Sequence, residues 1–193
     1  MNTAIFLDRD GVIIEDTHLL TKPTEISIPE GVPQALQRMK AAGFRLIVVS
    51  NQAVVARGML SEHGVERINA KIASLLEKAG GPQLDGSYFC PHHPNSTLAA
   101  YRVNCKCRKP QPGLLLRAAQ DHNVHLTASF MIGDRITDIV AGAKAHCRTI
   151  LIQTGKHLAP PIETVEPLDE TIQPDYICAD LGMAVKWILD QTP

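Results

Sequence analysis

The chain has no excess of charge of either sign, few aromatic rings and no long apolar run. Its 19 lysines and arginines face 20 aspartates and glutamates, leaving a formal charge of −1. That provides no overall basic field to draw in nucleic acid or an anionic membrane. Aromatic residues make up 4% of the chain, which also speaks against a nucleic-acid-binding module. No apolar stretch nears the ~18 residues that suggest a membrane span. No basic flank and apolar h-region precede the first apolar run, so no secretory signal is read and the cytoplasm is the expected location. The cysteines number five, an odd count that, without export, argues against a disulfide framework. Without export the Asn95-Ser96-Thr97 glycosylation match carries no meaning.

What is present is ordinary for a globular protein, with 45% hydrophobic and 20% charged residues. A length of 193 residues suits one well-buried domain and is short for two. Short β-rich runs alternate with helical patterns. Strands are expected at Ala4–Leu7, Arg45–Val49, Gly86–Phe89, Phe130–Ile132, Thr149–Ile152 and Tyr176–Cys178. Helices are expected at Val32–Ala42, from a Ser61 cap to about Lys78, and at Gly113–His122, Ile136–Ala145 and Leu181–Asp190. This rhythm implies an α/β fold: a doubly wound, mostly parallel, Rossmann-like sheet with helices on both faces. Two stretches lack periodicity, 91–112 and the proline- and acid-rich 158–174, the latter expected to be a surface excursion.

In such a sheet, ligands bind beyond the carboxyl ends of the strands. After the first strand come Asp8 and Asp10, after the second Ser50, Asn51 and Gln52, after the strand at Phe130 Gly133, Asp134 and then Asp138. Any one of these is unremarkable alone: Asp-x-Asp is usually a solvated turn, and a serine there can simply cap a helix. Together, each behind its own strand, they gather carboxylates that need a cation, and oxygen-only ligands suit Mg²⁺. Asp8 is placed to attack phosphorus and Asp10 to exchange a proton with the leaving oxygen and then with water. Neighbouring negative charge is expected to raise the pKa of the carboxyl off the metal, assigned to Asp10. Gly11 lets the chain turn away sharply. Arg108 and Lys109, before a helix, supply positive charge for phosphoryl oxygens.

Cys90-Pro91-His92 and Cys105-Lys106-Cys107 supply three thiolates and one imidazole, enough to fill a tetrahedral Zn²⁺ site with no open position. Such a zinc would be structural, folding a loop of about residues 90–107 and fixing Arg108 and Lys109 beside its last ligand. His93 ranks behind His92 on spacing. Cys147 and Cys178 fall in apolar segments and read as packing residues.

These residues resemble the haloacid dehalogenase-like (HAD-like) phosphatases over nearly the whole chain. FLDRDGV, VVSN, Lys109 in CRKP, and GDRITD match that superfamily's four motifs in order. More narrowly, SNQ followed by ARG, CPHHP, and CKCRKPQPG resemble the zinc-bearing D-glycero-D-manno-heptose 1,7-bisphosphate phosphatases. The resemblance implies Asp8 as nucleophile, Asp10 as general acid/base, and Mg²⁺ held by Asp8, the Asp10 carbonyl and Asp134. It implies that Ser50 and Lys109 hold the transferring phosphate, that Asn51, Arg57 and Arg108 touch substrate, and that Asp138 stands behind the metal ligands. It implies removal of the C7 phosphate of the heptose bisphosphate, on the way to activated heptose for lipopolysaccharide core or related glycans. Histidinol-phosphate phosphatases share these motifs and are the nearest alternative; a zinc-stabilised binding module is the alternative outside enzymes. The family usually reads serine-glycine after Asn-Gln, where this chain has Ala53-Val54, so the shape of the substrate loop does not follow from the resemblance. No insertion is long enough for a separate cap domain, and Asp16–Ile28 and the zinc loop are expected to wall the pocket. One domain over residues 1–193, acting as a monomer on a small sugar phosphate, is the expectation.

Overall fold

A computed structural model describes residues 1–155, 169 and 171–191. The excursion expected over 158–174 therefore lies largely outside the described residues. Six strands, β1 (Ala4–Leu7), β2 (Arg45–Asn51), β3 (Gly86–Cys90), β4 (Phe130–Gly133), β5 (Arg148–Ile152) and β6 (Tyr176–Cys178), form one sheet in the order β3-β2-β1-β4-β5-β6. Every pairing is parallel. Parallel neighbours need crossovers, supplied by α1 (Val32–Ala41), α2 (Ala53–Ala56), α3 (Glu62–Lys78), α4 (Gly113–Asp121) and α5 (Ile136–Lys144), while α6 (Leu181–Asp190) closes the described chain.

Alternation along the strands builds a core on each face. Ile5 and Leu7 of β1, Leu46 and Val48 of β2, and Ile132 of β4 pack with Leu36 and Met39 of α1, Ile68 of α3 and Val185 of α6. Ala4, Phe6, Ile47, Val49 and Met131 face the other way, onto Leu115 and Ala118 of α4 and Ala141 of α5. Cys147 and Cys178 are buried, as expected of packing residues. Local chemistry sets the helix starts. Pro33 stands in the first turn of α1, the Ser61 hydroxyl accepts from the Gly64 amide at 3.0 Å, and Asp180 accepts from the Met183 amide at 2.9 Å. At the β2–β3 edge the Asp85 carboxylate accepts from Arg45 at 2.7 Å, the Leu46 amide at 2.8 Å and Lys40 at 2.5 Å.

The strand order reverses at β1, between β2 and β4. That switch point opens a crevice at the carboxyl edge. The β1 exit carries Asp8 and the β4 exit carries Asp134, so topology alone brings residues far apart in sequence to one crevice.

Candidate active site

Asp8 leaves β1 with its backbone still pinned, its amide donating to the Ile132 carbonyl at 3.0 Å. Its side chain is buried, and one oxygen accepts from the Arg9 amide at 2.7 Å. Lys109 Nζ lies 2.9 Å from Asp8 Oδ1 and 2.6 Å from Asp138 Oδ1, and donates to the Val49 carbonyl at 2.8 Å. The ammonium thus pairs with two carboxylates while it donates to one carbonyl. Burial by itself would drive a proton off this lysine, but Asp138 and Asp8 reverse that and hold its pKa above the ordinary value.

One lysine cannot neutralise the carboxylates here. Asp8, Asp134 and Asp138 are all buried and offer oxygens within 4.8 Å of one another. Burial pushes Asp8 from 3.8 up to about 7, against the pull of Lys109 and with a further push from Asp138 and Asp10. Asp138 is raised by the same first cause, Lys109 opposing and Asp134 adding. At Asp8 depth of burial outweighs adjacency of charge as the cause of the rise. Asp10 lies nearer the surface, its side chain 26% exposed.

The backbone leaves room for an ion. Gly11 has φ +82°, and a Cβ there would strike the Asp134 carboxylate, as would one on Gly155, while a Cβ on Gly133 would strike Asp138. Three glycines thus wall an all-oxygen cradle with surplus negative charge, a donor set that fits Mg²⁺. Thr154 donates its hydroxyl to the Gly11 carbonyl at 2.5 Å, holding this turn.

The remaining candidates fall around the same cleft, of about 330 Å³. Both Asp10 oxygens accept from the Arg9 guanidinium at 2.9 Å, and Oδ2 also from Gln52 Nε2 at 3.0 Å. Gln52 Nε2 is also 3.1 Å from the Ser50 hydroxyl, which is buried at the end of β2. Arg57, Arg108, Ala53 and Val54 line the cleft. Burial lowers the Arg108 pKa, with the neighbouring Arg57 charge among the further causes, yet a guanidinium stays ionised. Two cations in one cleft favour an anion. Asn51, expected to touch substrate, spends its amide on Lys109: it donates to the Lys109 carbonyl and accepts from the Lys109 amide. The Ala53-Val54 departure has a local explanation. These residues open the short helix α2, Val54 packs with Val55 and Val65, and no left-handed residue is required there.

Cys90, His92, Cys105 and Cys107 come together at the lip of β3. Their sulfurs lie 3.1 Å (Cys90–Cys107), 3.2 Å (Cys105–Cys107) and 3.5 Å (Cys90–Cys105) apart. His92 Nδ1 is 3.5 Å from Cys107 and 3.7 Å from Cys90. A tetrahedron with Zn–S bonds of ~2.3 Å has edges of ~3.6–3.8 Å; the His92 separations match these and the sulfurs crowd inside them, and the number and type of the four donors fit a zinc ion. The Cys107 thiol is pulled down to about 5, first by its hydrogen bond with the Cys90 sulfur. His93 lies away from this cluster and lines the catalytic cleft instead. Arg108 ties the two sites together, donating to the His92 carbonyl at 3.1 Å.

The sequence puts Gln52 just after β2 without giving it a role; the structure adds its bond to Asp10, Arg9 as a partner of Asp10, His93 in the cleft, and the Arg135–Asp16 ion pair of 3.4 Å that tethers the loop after β1. Arg9 is signalled by its place between two candidate aspartates and Gln52 by its place directly after a strand; nothing local signals that His93 faces the cleft or that Arg135 pairs with Asp16.

This parallel sheet, with an acidic cradle and lysine at its switch point, is that of the HAD-like hydrolases, and residues 106–184 match the HAD-hydrolase-like family model. The D-glycero-beta-D-manno-heptose-1,7-bisphosphate 7-phosphatase of Photorhabdus laumondii is 38% identical, over 96% of both chains. Its Escherichia coli K12 counterpart is 39% identical, over 95% of this chain and 93% of that one. The crystal structure of the D,D-heptose 1,7-bisphosphate phosphatase from B. bronchiseptica, complexed with magnesium and phosphate, matches with a TM-score of 0.80 at 31% identity. It covers 98% of this chain and 99% of that one. The chain belongs to the D-glycero-beta-D-manno-heptose-1,7-bisphosphate 7-phosphatase family, a family of phosphoric monoester hydrolases.

Proposed function

We propose that this chain removes the C7 phosphate of D-glycero-β-D-manno-heptose 1,7-bisphosphate through an aspartyl-phosphate at Asp8, in the biosynthesis of ADP- or GDP-activated heptose. The observation that carries this reading is the buried Asp8 carboxylate facing Lys109 Nζ at 2.9 Å within the cradle of Asp134 and Asp138. Asp8 attacks phosphorus while Asp10 gives its proton to the leaving sugar oxygen; the P–O(sugar) bond breaks as the Asp8–P bond forms. Asp10 then takes a proton from the water that attacks the acyl phosphate, returning Asp8 and releasing phosphate. Ser50 and Lys109 hold the non-reacting phosphoryl oxygens. Arg57 and Arg108, which line the cleft, match the substrate's second phosphate by charge.

Asp8, Asp134 and the Asp10 carbonyl would hold Mg²⁺, which when bound offsets the charge of phosphate and carboxylates brought together. Zn²⁺ on Cys90, His92, Cys105 and Cys107 would be structural. The enzyme acts as a single domain without a cap and as a monomer in the cytoplasm. Among the described residues no helix is long and apolar enough to cross a membrane.

The test is relative kcat/KM for the β and α anomers of the heptose bisphosphate and for histidinol phosphate, with Mg²⁺ present. Preference for a heptose bisphosphate supports the reading, and preference for histidinol phosphate overturns it.

A further inference from the structure

Arg9 stands between the two reacting aspartates and has no part in the chemistry above. Its side chain is 3% exposed and separates the catalytic cleft from a second cleft of about 350 Å³ lined by Ile13, Val48, Ile72, Leu84 and Phe89. A guanidinium cannot shed its charge on burial, so its place is set by the partners it finds. NH2 donates to Asp10 Oδ1 and Oδ2, each at 2.9 Å. NH1 donates to Asn69 Oδ1 of α3 at 3.2 Å, and Asn69 Nδ2 donates to Ser87 Oγ of β3 at 3.2 Å. Nε is buried with no hydrogen-bond partner. A buried donor left unpaired is unfavourable, so this pose favours the hold on Asp10 over satisfaction of the arginine itself.

The geometry points to Arg9, anchored by Asn69, as a positioning residue that holds the Asp10 carboxyl in one rotamer. Gln52 takes up Oδ2 from the other side, which leaves Oδ1 as the oxygen that exchanges the proton. In the first step that proton passes from Oδ1 to the leaving oxygen as the P–O bond breaks and the bond to Asp8 forms. The inference rests on the acid/base reading of Asp10 given above.

A leaving group that needs no proton separates this role from a structural one. The measurement is kcat/KM, which reports phosphoryl transfer, for the heptose bisphosphate and for 4-nitrophenyl phosphate with saturating Mg²⁺. The variants are Arg9→Met, Arg9→Lys, Asn69→Ala and Asp10→Asn. Arg9→Met is expected to lose about 10²-fold on the sugar phosphate and about tenfold or less on the aryl phosphate, the range of general acid catalysis. Arg9→Lys is expected to recover part of the loss. Asn69→Ala, on the partly exposed face of a helix, keeps the test open should Arg9→Met fail to fold, and should show a smaller loss with the same split. Equal losses on both substrates in the Arg9 and Asn69 variants, with the split present in Asp10→Asn, would overturn the positioning role alone. Absence of the split in Asp10→Asn would overturn the reading of Asp10 and this inference with it.

Discussion

Asn51 holds Lys109 by its backbone: the side-chain Nδ2 donates to the Lys109 carbonyl at 2.9 Å, and Oδ1 accepts from the Lys109 amide at 3.0 Å. The pairing fixes the loop that delivers Nζ to Asp8. Asn51→Ala should therefore lower kcat by at least about tenfold, because misplacement of a group at the reacting centre is expensive. The lost pair should also reduce stability by about 1–3 kcal/mol. Steady-state kinetics and urea unfolding check both. Asn51→Asp should do no better, since a carboxylate accepts from the Lys109 amide but repels its carbonyl. An Asn51→Ala enzyme with unchanged kcat and raised KM would return Asn51 to a substrate contact.

The acidic cradle makes the effect of Mg²⁺ depend on pH. Burial raises Asp8 from 3.8 to about 7 in the metal-free fold, and Asp138 moves in the same direction. A raised carboxyl favours the folded state in its protonated form. Its contribution is full below the unfolded value and is lost as pH climbs through the folded one. Mg²⁺ competes with that proton, so the rise in Tm on adding Mg²⁺ to chelator-treated protein should grow between about pH 5 and about pH 8. Asp8→Asn should flatten the trend. A Tm increment independent of pH would contradict it.

Gly11 is required twice over, by its φ of +82° and by the Asp134 carboxylate against its α-carbon. Gly11→Ala should displace Asp134 and weaken Mg²⁺ binding, read as a higher Mg²⁺ concentration for half-maximal activity. Strain at such a position is of order 1–3 kcal/mol, so the folded protein should still be recovered for the titration. Unchanged Mg²⁺ dependence would show that the cradle does not need this close approach.

Protein purified without chelator should carry about one zinc ion per chain, as four closed ligands imply. Cys107→Ala should lose it and melt at lower temperature, because metal binding energy is folding energy. Activity should fall with it, since Arg108 is tied to the His92 carbonyl within the same loop. Metal analysis and calorimetry read the two effects. A metal-free preparation with full activity and unchanged melting would contradict the assignment.

Much of this was legible in the chain. Ala4–Leu7, Tyr176–Cys178 and Leu181–Asp190 begin and end where their patterning placed them, because strand and helix periods differ and the caps are local. The acidic groups could be grouped because Asp8 and Asp134 each directly follow a strand, with Asp10 and Asp138 a few residues on, and parallel strands share an edge. His92 was separable from His93 by spacing within a short loop. Long-range partnerships were not legible. Nothing in Asn51 announces a partner 58 residues away. Depth is also invisible in a sequence, which is why a rise at Asp8 driven first by burial does not follow from it. Helix α2, four residues long, is too short to show a period.

The central claim is that Asp8 carries the phosphoryl group. Borohydride added during turnover reduces an acyl phosphate, converting the modified aspartate to homoserine, and peptide mass spectrometry locates it. The account predicts conversion at Asp8, dependent on substrate and Mg²⁺, with Asp8→Asn unmodified and inactive. Conversion at another aspartate, or near-normal turnover by Asp8→Asn, would contradict it.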